Sequence, residues 1–259
     1  MRMMKKVLGT VTVLALSVSL LAGCGSTAAS PVSSAASTAA ESTTSSVVSE
    51  TTSAAADENE AAAAQLLNDL TGSYQELWPV ILADEYKQTW LDDCTALVGE
   101  DNAEAAFEKL SSMVTGDVYG EDAVKAYANG GGAYFCGFTN SLATLTFDGE
   151  TSTISGTDKD GNVLFSHTYH YIGMEPVHGL YEFESDDADS GEFTYFFLAP
   201  DTSAETYHIE FRYGSDAEAL SQYDAGEYAY WVASGISTDC GQTMIDNCIE
   251  LFCTENLAG

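Results

Sequence analysis

The spacing of hydrophobic residues divides the chain beyond residue 57 into a helical half and a strand half. Over residues 66–94 apolar side chains recur every three or four positions, which predicts amphipathic helices. Asp57 and Glu60 have the spacing of a capping box, so we expect the first helix to begin there. A further helix is expected over residues 102–113, and the glycines at 130–132 end the helical half.

In the second half, apolar and polar residues alternate, as they do in strands that bury one face. The Asp-Gly pairs that end at Gly149 and Gly161 separate such segments and predict hairpins, the first with a type I′ turn. Spacing of the turn residues over 141–214 predicts about seven or eight antiparallel strands. A meander of that size removes its open edges by closing into a barrel.

Helix returns after the strands, at residues 216–223 and again from Ser237 or Thr238 to the end of the chain. The predicted fold class is therefore α+β, an antiparallel β-barrel with N-terminal helices and a C-terminal helix. Residues 61–259 are long enough to form this as one domain with a substantial core.

The first 23 residues have the pattern of a secretory signal. Basic residues precede an apolar run over residues 7–22, which is too short to span a bilayer comfortably. Cys24 follows Leu-Ala-Gly, as in a bacterial lipobox, so Cys24 is expected to be lipidated. The alternative is an uncleaved apolar anchor beside a chance cysteine. The first interpretation places the protein at the cell membrane, lipid-anchored on the extracytoplasmic face.

Residues 24–60 are predicted to form a disordered tether. The segment is mostly Ser, Thr, Ala and Val, which cannot bury enough apolar surface to offset the entropy of ordering it. A flexible chain of this length reaches about 30 Å. The tether would hold the folded domain away from the lipid surface.

The charge balance excludes several kinds of partner. Without the signal peptide the chain carries 5 basic and 40 acidic residues, so its net charge is 5 − 40 = −35. Nucleic-acid binding requires a basic surface, and anionic lipid would repel this protein, so membrane contact is expected only through the lipid on Cys24. A strongly negative field concentrates cations, although it also serves solubility alone.

Residues 180–213 carry a motif of an alternating aromatic strand, an acidic turn, a second aromatic strand and a lone histidine. This motif resembles the ZinT family, lipocalin-like (calycin) zinc-recruitment proteins of bacterial envelopes. About five residues of the family pattern are missing before Ala199, including its first histidine, and Thr206 replaces a second one. The matching residues are Asp189, Gly191, Phe193, Tyr195, Ala199, Pro200 and His208. A weaker match, at Gly72, Gln75 and Pro79, covers the opening helices.

The candidate metal ligands are His208, which matches a family ligand, together with His167 and His170. Zinc binds three or four His, Cys or carboxylate ligands. Alternation along the strand puts His167 and His170 on opposite faces, and the sequence leaves open which face of each strand lines the barrel. His178, in a loop, is a weaker candidate. The structural alternative is half-exposed strand histidines with no common target.

Two further groups of residues carry less information. The acidic turn at residues 186–192 lacks the spacing of a calcium loop, so we interpret it as a solvated turn. Cys240 and Cys248 would be about 12 Å apart on one helix, so bridges would have to reach Cys94 or Cys136. No Cys-x-x-Cys motif or nucleophile–base pairing is indicated, and no enzymatic activity is expected.

Together these features predict a tethered lipoprotein that binds zinc or another divalent metal ion and is accessory to uptake by a metal-importer component. The alternative is a calycin-like binding module that has lost metal binding and holds a small ligand or a partner protein.

Overall fold

The structure is a computed structural model that describes residues 47–199 and 208–258, with side chains described from residue 58 onward. The predicted signal peptide, Cys24, the tether up to residue 46, Pro200 and Thr206 lie outside the described residues.

Eight antiparallel strands form a closed barrel in which each strand pairs with its sequence neighbours and the last pairs with the first. Closure is made where Glu76 of the first strand lies opposite Gly235 of the last. This confirms the predicted α+β class and the antiparallel, calycin-like barrel. The strands are β1 (Gly72–Glu76), β2 (Thr144–Asp148), β3 (Thr153–Thr157), β4 (Val163–Met174), β5 (Tyr181–Ser185), β6 (Tyr195–Leu198), β7 (His208–Gly214) and β8 (Ala233–Ser237).

Helices lie before, between and after the strands. The last of them, the C-terminal helix, packs against the third along its length, and the predicted helix at residues 102–113 is confirmed with slightly shifted bounds. The helices are α1 (Val47–Asp69), α2 (Leu77–Ile81), α3 (Lys87–Val98), α4 (Glu100–Ser112), α5 (Glu121–Ala128), α6 (Ala217–Leu220) and α7 (Gln242–Leu257), with short 3-10 turns at Asp84–Tyr86 and Gly191–Phe193.

Aromatic side chains fill the described part of the barrel interior. Phe183, Phe196, Phe211 and Tyr213 are each at most 1% exposed, and the Phe196 and Tyr213 rings are 5.4 Å apart. Close-packed rings of this kind leave little room for a ligand. A calycin-like module that holds a small ligand inside the barrel, the alternative interpretation, would need that space.

Both ends of the barrel are covered. Leu66 and Leu67 of α1, and Leu70 just after it, join the barrel core at the end where β1 begins. At the other end, in the β5–β6 connection, Phe193 stacks on Phe165 with ring centroids 3.9 Å apart. The connections of an up-and-down barrel alternate between its two ends, so these two plugs lie on opposite sides of the aromatic core.

A second core forms outside the barrel, where α2, α3, α4 and α7 pack on the outer face of β8. Trp90 is fully buried there and donates a hydrogen bond from Nε1 to the carbonyl oxygen of Ile81 at 2.7 Å. Ile236 of β8 belongs to this second core, so the outer face of β8 is buried as completely as its inner face.

The structure corrects the predicted start of the first helix. Helix α1 begins at Val47, inside the predicted tether, so Asp57 and Glu60 lie within a helix and form no capping box. The alanine-rich sequence continues the helix because alanine has the highest helix propensity. Residues 72–76, expected to be helical, instead form β1, which begins at Gly72 with a positive φ of 148° and closes the barrel.

Two further predictions are corrected at turns. The β2–β3 hairpin exists, but Asp148 pairs with Thr153, so its turn contains four residues instead of two. The Asp148 carboxylate accepts hydrogen bonds from the backbone of Glu150 and Thr151, which stabilises the longer turn. Strand β8 was not predicted, and α7 begins at Gln242, later than expected.

Among the described helices, we find none that combines the length and the apolar character needed to cross a membrane.

Candidate functional site

The structure places the three predicted metal ligands apart. His167 lies opposite Ile154, on the face of β4 that lines the barrel, whereas His170 lies opposite Glu184 on the outer face. His208 lies opposite Ile236, on the outer face of β7. Within residues 58–199 and 208–258, no group of three or more His, Cys, Asp or Glu side chains is arranged to hold a metal ion.

The strand alternation also settles which face of β7 lines the barrel. Ile209, Phe211 and Tyr213 belong to the barrel core. His208 and Glu210 alternate with them and therefore face outward. The residue that matches the family ligand is thus on the outside of the barrel wall.

Two histidine–aspartate contacts, which we call the His–Asp pairs, lie on the two opposite faces of β4. His167 Nδ1 lies 2.9 Å from Asp187 Oδ2, and His170 Nδ1 lies 2.7 Å from Asp186 Oδ1. The two aspartates are consecutive residues in the turn after β5, so one turn reaches both faces of the strand. This turn was predicted to be merely solvated, and its pairing with the histidines was missed.

Hydrogen bonds hold the turn of the His–Asp pairs in place. The Ser190 hydroxyl donates to Ser185 Oγ, and Ser190 is only 4% exposed. Tyr169 donates from its hydroxyl to the carbonyl oxygen of Phe193, and burial raises the pKa of that hydroxyl well above its usual range. The turn is therefore anchored at a buried point, which fixes the positions of both aspartates.

The two His–Asp pairs differ in exposure. The His167 side chain is 14% exposed and stacks beside Phe165 at 5.9 Å, whereas the His170 side chain is 52% exposed. A carboxylate that binds Nδ1 keeps the ring proton there and leaves the lone pair on Nε2. Metal-binding histidines are commonly oriented by a carboxylate in this way. The arrangement fits an oriented ligand. Each face of β4 supplies only one histidine, so the described residues do not form a complete zinc site.

His178 belongs to a different group, which we call the buried cluster and define as Glu175, His178, Arg212 and Tyr223. His178 Nδ1 lies 3.4 Å from a carboxylate oxygen of Glu175, which is fully buried. The same carboxylate accepts hydrogen bonds from the backbone of Val177 and His178. The His178 ring contacts the Tyr223 ring, with centroids 3.8 Å apart.

Arg212 completes the buried cluster. Its guanidinium lies 4.2 Å from the centre of the Tyr223 ring and donates to the carbonyl oxygens of Leu220, Gln222 and Tyr228. Burial lowers the pKa of Arg212, while Tyr223 and Glu175 oppose that effect. The cluster thus holds the segment after α6 against the outer wall of the barrel. The Glu175 carboxylate and the terminal nitrogens of Arg212 are held by these backbone contacts, so we interpret the cluster as structural. Among its described atoms, His178 Nδ1, Arg212 Nε and the Tyr223 hydroxyl are buried without a hydrogen-bond partner.

Comparison with known proteins finds several similar solved structures. No protein-family model matches the chain, and no curated protein matches it. The chain is similar to the Zn(II)-bound ZinT-like domain of Streptococcus pneumoniae AdcA, with 17% identity, 71% of this chain and 89% of that chain covered, and a TM-score of 0.44. That neighbour is a ZinT-like domain. Zn(II)-bound AdcA from the same organism is similar at 16% identity, 71% and 35% coverage and a TM-score of 0.42.

The ZinT-like resemblance and the observed site therefore differ in one respect. The barrel is present and closed, as the motif implies, whereas the ligand set is degenerate among the described residues. The signal that could have found the His–Asp pairs is the Asp-Asp dipeptide at 186–187. This dipeptide follows the strand next to the one that carries His167 and His170, and those two histidines lie on opposite faces of their strand.

Proposed function

We propose that this protein is a ZinT-like, lipid-anchored surface protein that binds zinc or another divalent cation and assists its uptake without catalysing a reaction. The observation that carries the proposal is the 2.9 Å contact between His167 Nδ1 and Asp187 on a largely buried histidine. The resemblance of residues 189–208 to the ZinT motif supports the same interpretation.

Each His–Asp pair supplies one oriented nitrogen ligand. Zinc prefers four ligands, so water, nearby carboxylates or a second protein must complete the coordination. An incomplete ligand set makes binding weak and its release fast, which suits a protein that passes a metal ion to an importer component. His208 remains a candidate ligand on the outer wall, separate from the two pairs.

Charge and anchoring support the same role. The net charge of −35 for the chain after residue 23 raises the local concentration of divalent cations around the domain. A lipid on Cys24 and a tether would keep that domain close to a membrane importer. Weak individual sites would therefore be exposed to more metal than the bulk solution provides.

Calorimetric titration of the purified full-length protein with zinc tests the proposal. We expect dissociation constants of about 1–100 μM, and an approximately tenfold loss of affinity on His167→Gln or Asp187→Asn. Asp189→Asn is the matched control, because it removes the same charge from the same turn and leaves both His–Asp pairs intact. His208→Ala tests the third predicted ligand separately.

Two results would overturn the proposal. Binding weaker than about 1 mM would exclude a metal role at physiological concentrations. Equal losses on Asp187→Asn and Asp189→Asn would show that zinc responds only to the general negative field, without using the oriented histidine.

A second candidate function is the binding of a partner protein on the outside of the barrel. Ile172, Met174 and Val177 are 41%, 39% and 74% exposed around the β4–β5 turn. Exposed apolar residues that are close together commonly mark interaction sites. Crosslinking in the native envelope would test this candidate: Val177→Lys should abolish the crosslinked product, whereas Val163→Lys, a distant and similarly exposed site, should not.

A further inference from the structure

Two of the cysteines in the folded domain lie in direct contact. Cys94 Sγ on α3 is 3.9 Å from Cys253 Sγ on α7, and both residues are fully buried. A disulfide has a sulfur–sulfur distance of about 2.05 Å, so the two atoms would have to approach by about 2 Å. No other residue has to move from between them.

The surrounding packing fixes the two helices beside each other. Phe252, next to Cys253, packs edge-on against Trp78 and Trp90 with ring centroids 4.8 and 6.1 Å apart. These aromatic contacts hold α7 against α3 whether or not the sulfurs are bonded. The pairing therefore follows from the helix packing and does not depend on the two thiols alone.

The other cysteines have different surroundings. The Cys136 thiol donates to the carbonyl oxygen of Tyr134, on its own segment, and also lies near Trp78. Cys240 precedes α7 and is half-buried, so the helical spacing that was expected to separate it from Cys248 does not apply. Of the bridges allowed by the sequence, the one from α7 to Cys94 is supported by a direct sulfur–sulfur contact.

We propose that Cys94 and Cys253 form a disulfide in the exported protein and that this bond locks α7 onto α3. The two thiols lose two protons and two electrons to form the sulfur–sulfur bond. A disulfide oxidant, such as glutathione disulfide or an exported thiol oxidase protein, accepts them and becomes two thiols. Extracytoplasmic compartments supply such oxidants.

Burial determines when the bond forms. It raises the pKa of both thiols, and thiol–disulfide exchange requires the thiolate. Oxidation is therefore slow once α7 has docked and faster while the chain is still folding. The same burial protects the finished bond from reductants. The bond links two residues that are 159 positions apart in the chain, which places a strong constraint on the unfolded chain.

Peptide mapping of the full-length exported protein, alkylated under denaturing conditions without reductant, tests the pairing. Cleavage after glutamate isolates Cys94 between Glu85 and Glu100, and Cys253 between Glu250 and Glu255. We expect one linked pair of these two peptides, which separates after reduction. Alkylation of both cysteines, or a link from Cys253 to another cysteine, would overturn the proposal.

Thermal unfolding provides the second readout. We expect the oxidised protein to unfold about 5–15 °C above the same protein reduced in denaturant and refolded. Cys94→Ala and Cys253→Ala should each abolish this redox-dependent difference, whereas Cys136→Ala should retain it. Comparing two redox states of each variant removes the effect of the substitution on packing. A difference that persists in Cys94→Ala would exclude this pair.

Discussion

The His–Asp pairs and the buried cluster both join a histidine to a carboxylate, yet their surroundings give them different roles. In the buried cluster, Glu175 is fully buried and Arg212 bonds three backbone carbonyls. In the His–Asp pairs the aspartates are about half exposed, at 50% and 53%. A histidine beside a fully enclosed carboxylate stabilises the fold, whereas one held by a solvent-facing carboxylate can be oriented for an ion. Of the two, His170 is the more accessible, at 52% exposed against 14% for His167.

The comparison predicts different responses to the loss of charge. Removing one partner from a buried ionic network leaves unsatisfied polar groups, which costs several kcal/mol. Removing one partner from an exposed pair changes stability by at most about 1 kcal/mol. The predictions that follow test this difference, starting where the effect should be largest.

Arg212→Met should reduce the free energy of unfolding by about 3–5 kcal/mol, because three carbonyl oxygens lose their donor and Glu175 loses the positive charge of Arg212. Urea unfolding followed by circular dichroism measures this change. Arg212→Lys is the matched control: it keeps the charge but not the forked donor geometry, so its loss should be smaller. A loss below about 1 kcal/mol for Arg212→Met would show that the cluster does not hold the barrel wall.

Glu175→Gln should cost about 1–3 kcal/mol. The carboxylate accepts from the backbone of Val177 and His178 with its two different oxygens, and an amide can replace only one of them. The measurement is the same urea titration. An unchanged midpoint would indicate that the β4–β5 turn forms without this carboxylate.

Asp187→Asn should change the free energy of unfolding by less than about 1 kcal/mol, while its zinc affinity falls. This pair of results separates orientation of a ligand from support of the fold. Stability is measured on the metal-free protein, because bound zinc would itself shift the midpoint. If the free energy of unfolding falls as much as in Glu175→Gln, the His–Asp pairs support the fold in the same way as the buried cluster.

Much of the fold was predictable because its strands carry a strong alternating pattern. In β7, Ile209, Phe211 and Tyr213 alternate with His208 and Glu210, so their separation onto two faces follows from the sequence. The meander and its closure follow from the regular spacing of turns. Which face of each strand lines the barrel interior was not predictable, because alternation defines two faces without showing which one is inside.

The errors come from long-range contacts that local patterns do not contain. Gly72 to Glu76 reads as a helix by apolar spacing, but pairing with β2 and β8 makes it a strand. The His–Asp pairs depend on the register between β4 and β5, which shifts between Tyr171 and Gly173. A one-residue change of register would have exchanged the faces of the partners, so the site could not be derived from spacing.

A third arrangement, a carboxylate without a histidine, extends the comparison of the two histidine–carboxylate groups. Its substitution should have the smallest effect on stability. Asp93 lies on α3 beside α7, and burial raises the pKa of its carboxyl, with further contributions from the negative charges of Glu250, Asp246 and Asp92. A raised folded-state pKa means that the folded protein binds this proton more readily than the unfolded chain. The free energy of unfolding should therefore rise as the pH falls from 7 toward the usual aspartate range. This gain is lost as the pH rises and Asp93 releases its proton.

Asp93→Asn removes this repulsion at all pH values. We expect its thermal midpoint to exceed that of the unsubstituted protein by about 1–3 °C at pH 7, and this difference to shrink as the pH falls and Asp93 takes up its proton. Asp92→Asn is the control, since Asp92 lies at an exposed position and makes the smallest contribution to the shift. A gain for Asp93→Asn that stays the same as the pH falls would mean that packing, and not charge, sets the energy of the α3–α7 contact.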